Sequence, residues 1–286
     1  MASLKELRGR IRSVKNTQQI TKTMKMVAAA KVRRARLNCD MARPYAERMQ
    51  EVLKNMAQNT SDNGPLLLAG RGDEHVVRLV IFGSDRGLCG GFNANLMKKT
   101  SEIIREWQAI NKTVQLVAVG RKIRDAVRSQ YPEMLVAEYL DLSRTMSFED
   151  AKKIAAEQVT AFESSECDVL QLVFSECETM LTQTPKNRQL VPFVQTDDTV
   201  EPASIDYEPG EEEVLNELLP KNIDMQFYQA WLESLASEQA ARMTAMDSAT
   251  RNAGEMIKGL TLVYNRSRQA AITKELIEII SGAEAV

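Results

Sequence analysis

Two stretches in which apolar and small residues recur at alternating three- and four-residue steps stand at opposite ends of the chain, separated by more than a hundred residues of different character. The first holds Leu4, Leu7, Ile11 and Val14, then Ala28, Val32, Ala35, Cys39 and Ala42. The second holds Leu232, Leu235, Gln239, Arg242, Met246, Ala249, Ala253, Met256, Leu260, Val263, Ser267, Ala270, Lys274 and Ile277. This spacing puts one seam along one side of a helix, and a seam needs a second helix to cover it. A helix running from 221 to the end would be about 90–100 Å long, too long for a compact domain to hold by itself. The two ends are therefore expected to pair as a long antiparallel coiled coil, left-handed because its period is shorter than that of a straight helix. Ala28, Ala29, Ala30 and Ala249 keep it thin. In the first seam Gln18, Thr21 and Lys25 fall in register, and a neighbouring stripe of Ile20, Met24 and Val27 is expected to take over there. Pro44 is expected to kink or interrupt the helix.

Between the ends the pattern changes. Val76–Phe82, Val114–Val119, Leu135–Tyr139 and Val169–Phe174 are apolar, strand-like runs. They alternate with helix-forming stretches at Asn93–Ile110, Lys122–Gln130 and Phe148–Ser164, which argues for a Rossmann-like parallel α/β sheet. Thr179–Val194 is read as a final strand or hairpin. The fold class is α+α/β, divided as an N-terminal coiled-coil helix over 1–59, an α/β domain over 75–195, an acidic linker over 196–220 and a C-terminal coiled-coil helix over 221–286. The linker is marked by Pro202, Pro209 and Pro220 and by eight acids with no base from Asp197 to Glu213.

A net charge of −2 conceals an asymmetry: Met1–Arg48 carries thirteen Lys or Arg against three acids, leaving the rest of the chain at −12. That basic helix could face nucleic acid, anionic lipid or acidic loops of a protein partner. It has no aromatic residue before Tyr45 of the kind nucleic-acid readers use, which favours a protein partner.

Cys39, Cys89, Cys167 and Cys177 are scattered without a CxxC pair, and His75 is the one histidine. Reduced thiols, as in a cytosolic compartment, are expected, with no metal site. A bridge between Cys167 and Cys177 is disfavoured because a straight strand separates them. No GxSxG occurs, and a catalytic triad could recruit only His75. No run of 18 apolar residues spans a membrane. The segment Gly83-Ser-Asp-Arg-Gly-Leu-Cys-Gly-Gly91 follows a strand and precedes a helix, where phosphate loops sit. Its glycines do not match GxGxxG, and a P-loop Lys-Ser/Thr pair is missing. It is read as a tight turn and docking surface, with no nucleotide and no other cofactor.

The opening Leu4-Lys-Glu-Leu-Arg-Gly-Arg-Ile-Arg-Ser-Val-Lys-Asn-Thr-Gln-Gln-Ile-Thr-Lys-Thr-Met-Lys-Met-Val-Ala-Ala-Ala-Lys31, the turn Ser84–Gly91, the run Ser237-Glu-Gln-Ala-Ala-Arg-Met243 and the stretch Tyr264–Gly282 together resemble the gamma subunits of F-type ATP synthases. The resemblance covers the whole chain in order, lacks the dithiol insertion of the chloroplast form, and with no presequence suggests a bacterial version. It implies a non-catalytic rotor, the central stalk, whose partners are a ring of three alpha and three beta subunits, an epsilon subunit and the ring of c subunits. It implies a place on the cytoplasmic face of the bacterial inner membrane as a peripheral protein. It further implies that Met24, Lys25, Arg33, Arg34 and Arg36 face acidic loops of beta subunits, and that Arg242, Arg268, Gln269, Thr273 and Glu275 make hydrogen-bonding contacts with the alpha–beta ring. Ser84, Asp85, Arg86, Gly87, Leu88, Cys89, Gly90 and Gly91 are placed at the foot, towards epsilon and the c ring. The alternatives are an α/β ligand-binding domain with helical oligomerisation arms, and a coiled-coil adaptor for nucleic acid or membrane.

Overall fold

The computed structural model describes residues 3–59, 65–72, 74–142, 147–193 and 210–284. In chain order the elements are α1 (Leu4–Asn59), α2 (Leu66–Ala69), β1 (Val76–Phe82), α3 (Phe92–Ala109), β2 (Thr113–Val119), α4 (Arg121–Gln130), β3 (Leu135–Tyr139), α5 (Phe148–Glu163), β4 (Val169–Cys177), β5 (Gln183–Val191) and α6 (Glu211–Glu284). They form two compact units, and both long helices contribute to each: one unit is Ala29–Arg242, the other Met1–Ala28 with Met243–Val286.

The larger unit is built on a sheet of order β3-β2-β1-β4-β5. The first four strands are parallel, and β5 returns antiparallel on β4. The expected parallel sheet thus ends in a hairpin and is mixed. Alternation along β1 sorts its side chains between two cores. Val77, Leu79 and Ile81 pack with Leu96, Ile103 and Ile104 of α3 and Ile123 and Val127 of α4. Val80 and Phe82 face Ile154 and Phe162 of α5 and Phe227 and Trp231 of α6. Covered on both faces, the central strands read as unbroken apolar runs rather than alternating ones.

The linker over 196–220 is corrected at its end. Its part before Gly210 lies outside the described residues, but α6 begins at Glu211 and runs through Pro220. A proline inside a helix costs about 3 kcal/mol. Leu215 and Leu219, both buried, close a cluster with Met49, Leu53 and Met56 of α1. Burying two leucines returns about 3–6 kcal/mol, so packing outweighs the proline. Pro44 likewise leaves α1 uninterrupted. It is exposed and falls between the inward residues Ala42 and Ala46, and the carbonyl it frees, on Asp40, belongs to an exposed residue that water can serve.

In the smaller unit the two helices run antiparallel, as the pairs Arg8–Tyr264, Thr21–Thr250 and Lys25–Asp247 show. The expected switch of stripes in α1 does not occur. Ile20 and Val27 are more than half exposed, while Thr21 is buried. The seam keeps its register because its polar members find partners across it. The Thr250 hydroxyl donates to that of Thr21 at 2.8 Å, and Gln18 reaches the Thr250 carbonyl at 3.4 Å. On α6 half of the expected seam moves by one residue. Met246 and Ala253 are buried and Leu260 and Ser267 half-buried as expected, but Met256, Val263 and Ala270 are exposed. Ile257, Tyr264 and Ala271 turn inward in their place.

Candidate functional site

In an open α/β sheet, ligands bind beyond the carboxyl ends of the strands, where the chain order reverses. Here that point lies between β1 and β4. It is filled by α6. The Ser234 hydroxyl donates to the Phe82 carbonyl at 2.7 Å, and the Ser237 hydroxyl donates to the Ser175 carbonyl at 2.8 Å. Trp231 is buried there, and Phe227 stands edge-on to Phe82 with centroids 5.0 Å apart.

The Ser84–Gly91 loop beside this crevice spends its polar groups on the protein. Asn93 accepts from the Ser84 amide at 3.1 Å and donates to its hydroxyl at 2.7 Å. Asp85 Oδ1 accepts from the amides of Arg121 and Asp141, each at 3.1 Å, so a carboxylate already sits at the start of α4. Leu88 and Gly90 have φ of 63° and 58°. The tight turn is therefore present, but a leucine shares the left-handed conformation expected of its glycines. Close approach is the work of glycines outside the motif's centre. A Cβ on Gly83 would stand 2.3 Å from Ile123, and one on Gly120 would stand 2.8 Å from the Gly83 carbonyl oxygen.

Arg242 belongs to this same cluster. Its Nη2 donates to the carbonyls of Arg86 and Gly87 at 3.0 and 3.2 Å, and its Nη1 lies 2.6 Å from Glu238. Both side chains are nearly buried. Burial pushes the Glu238 carboxyl up, and Arg242 works against that shift. The sequence reading placed Arg242 against the ring and Ser84–Gly91 at the foot; the structure brings them into contact. It missed Glu238, which the i, i+4 spacing to Arg242 on a helix could have revealed.

The basic residues divide. Lys25 donates to Asp247 at 2.6 Å, and that bond holds the Asp247 carboxyl below its ordinary range, with Arg251 3.4 Å away adding to it. Lys25 is thus committed within the chain, contrary to the unpaired charge expected of it. Arg36 is half-buried and donates to the Cys177 sulfur at 3.4 Å. Met24 is half-buried, and Arg33 and Arg34 are exposed. Arg268, Gln269, Thr273 and Glu275 all lie exposed on α6, together with Ile272, Leu276, Ile277, Ile279 and Ile280. The four cysteines are free thiols, and burial, first, then Glu233, pushes Cys39 up to about 12.

With its strand-end crevice filled by its own helix and two long helices bearing exposed polar and apolar faces, the chain has the build of a protein whose long helices are surfaces for other proteins. The sequence model described as ATP synthase matches residues 3–286. The chain is 46% identical to the ATP synthase gamma chain of Rhodospirillum rubrum and 50% identical to that of Erythrobacter litoralis, in each case over all of both chains. Among solved structures it resembles the central stalk of the Tetrahymena thermophila mitochondrial ATP synthase, at 26% identity and a TM-score of 0.63 over 80% of this chain and 99% of that one. A chain of the Euglena gracilis enzyme shares the fold at 22% identity, with a TM-score of 0.69 over 99% of this chain and 94% of that one. The chain belongs to the ATP synthase gamma chain family.

Proposed function

We propose that this chain is the rotor of an F-type ATP synthase, the non-catalytic central stalk that couples ion-driven turning of a c ring to ATP synthesis and hydrolysis in a ring of three alpha and three beta subunits. The observation that carries this reading is the full-length match to gamma chains, from end to end of both sequences. A stalk without chemistry of its own acts by making different contacts with each beta subunit at each angle, so that each angle favours a different conformation. The exposed Arg268, Gln269, Thr273 and Glu275 supply polar contacts of that kind, and the apolar end of α6 fits a sleeve of surrounding subunits. Because the nearly buried Arg242 grips the Ser84–Gly91 loop, we assign the loop rather than Arg242 to the partner-facing surface at this place. Arg33, Arg34 and Met24 remain the candidates for acidic beta loops, and epsilon and the c ring are the partners of the α/β domain. Among the described residues no helix is long and apolar enough to cross a membrane, which accords with a peripheral protein on the cytoplasmic face, held there by its partners.

The test is co-expression with alpha, beta, epsilon and membrane subunits, followed by ATP-driven ion pumping in vesicles. The chain is expected to purify with the ring and to support pumping. Met24→Lys, which adds a charge to a sliding surface, should lower the ions moved per ATP. A complex that hydrolyses ATP and pumps equally well without this chain would overturn the reading.

A further inference from the structure

The Arg242 guanidinium spends both hydrogens of Nη2 on the Arg86 and Gly87 carbonyls and directs Nη1 at Glu238. Immediately after those carbonyls comes Leu88, held at φ 63° and 64% exposed as a residue. A leucine in the left-handed region is strained and persists where the surroundings impose it. Among the described residues Leu88 is largely exposed, so burial of its side chain does not impose this conformation. On the other side of Leu88 the chain is anchored by Cys89, which is buried and whose sulfur accepts from Asn93 at 3.4 Å. The two carbonyls preceding Leu88 are fixed from α6.

We infer that Arg242 is a positioning residue: it clasps the Arg86 and Gly87 carbonyls so that the β1–α3 loop holds Leu88 outward in a strained conformation, and it acts on any partner through that loop rather than by direct contact. The inference rests on the rotor reading for its functional part and on the geometry of this chain alone for its structural part. Glu238 completes the clasp by fixing the guanidinium plane, a role lysine fills poorly because an ammonium has no planar fork. The outward loop carries exposed Arg86 and Leu88 side by side, a cation beside an apolar tip.

The structural part is tested on the isolated full-length chain by hydrogen exchange of the two bonded amides that anchor the loop, those of Ser84, held by Asn93, and Phe92, held by the Cys89 carbonyl. Arg242→Ala should raise their exchange at least tenfold, and Arg242→Lys should give an intermediate rise. Unchanged exchange in Arg242→Ala would overturn the clasp whatever the chain does in a complex. The functional part is tested in the assembled enzyme with Leu88→Asn, since asparagine tolerates the left-handed region. If Arg242 works by holding a strained Leu88, its loss should matter at least threefold less to the ATPase rate in the Leu88→Asn background than in the native one. Equal losses in both backgrounds, with exchange raised as expected, would show that Arg242 also touches a partner directly and would overturn the claim that it acts through the loop. Should Arg242→Ala fail to assemble, the same comparison is made with Arg242→Lys.

Discussion

Lys25 and Asp247 form a close ion pair between two helices at a position where a seam is ordinarily apolar. The hydrogen bond from Lys25 depresses the Asp247 carboxyl. A carboxyl whose folded pKa lies below its unfolded one stabilises the fold above the unfolded value and loses that contribution as pH falls through the folded one. Lys25→Met should therefore lower the melting temperature of the isolated chain at neutral pH. The gap between variant and native melts should close as pH drops through and below the normal aspartate range, about 4. A gap that stayed constant down to acid pH would mean that Lys25 stabilises through its methylene stem alone. The pair also shows why charge counting misjudged this residue. Arg33 and Arg34 project from the same basic helix into solvent, but Lys25 falls on the seam, and whether a seam lysine is free depends on which residue stands opposite, two hundred positions away in sequence.

At the scale of elements, α1 holds one strict rhythm from Leu4 to Met56, including its polar rungs. Thr21 and Thr250 make the clearest of these: the single Thr250 hydroxyl hydrogen is shared between the Thr21 oxygen and the Met246 carbonyl, and the Thr21 hydroxyl donates to the Gln18 carbonyl. Changing one of them to valine should cost about 0.5–1.5 kcal/mol for the bond lost across the seam, the remaining hydroxyl keeping its own-helix carbonyl, whereas changing both should be close to neutral. Thermal melts of the two single variants and the double one measure this; strictly additive losses would deny the coupling. Most of the elements were legible in the sequence, because strands buried on both faces and helices with a sustained seam leave strong patterns. What was not legible depended on a partner. Val263 is more apolar than Tyr264, so composition favours Val263 for the seam. Tyr264 goes inward because its hydroxyl can take a bond from Arg8 at 2.7 Å while its ring lies under that guanidinium. Pro220 misled for the same reason: the leucines that keep its helix intact are anchored on α1, far away in the chain.

For the molecule as a whole, the exposed residues of α6 divide the working surfaces from the merely solvated ones. If Gln269 contacts the ring, Gln269→Leu should assemble normally and lose much of its steady-state ATPase rate, while removal of the residues past Ser281 should cost little. Wild-type turnover in the point variant, with subunit content checked, would leave Gln269 as an ordinary solvated side chain. The α/β domain makes a complementary prediction. Calorimetry of the isolated chain with ATP, with or without magnesium, should give no binding heat, and a micromolar site would reopen the ligand-binding alternative. The reason lies in the crevice between β1 and β4, where Ser234 and Ser237 bond the strand-end carbonyls. A domain that waits for a small molecule to complete it is firmer when that molecule is abundant and looser when it is scarce. This one is completed by its own chain, so, if calorimetry gives no heat, its firmness should not follow the cell's supply of nucleotide. In a starved cell and a well-fed one alike, it would present the same unyielding part.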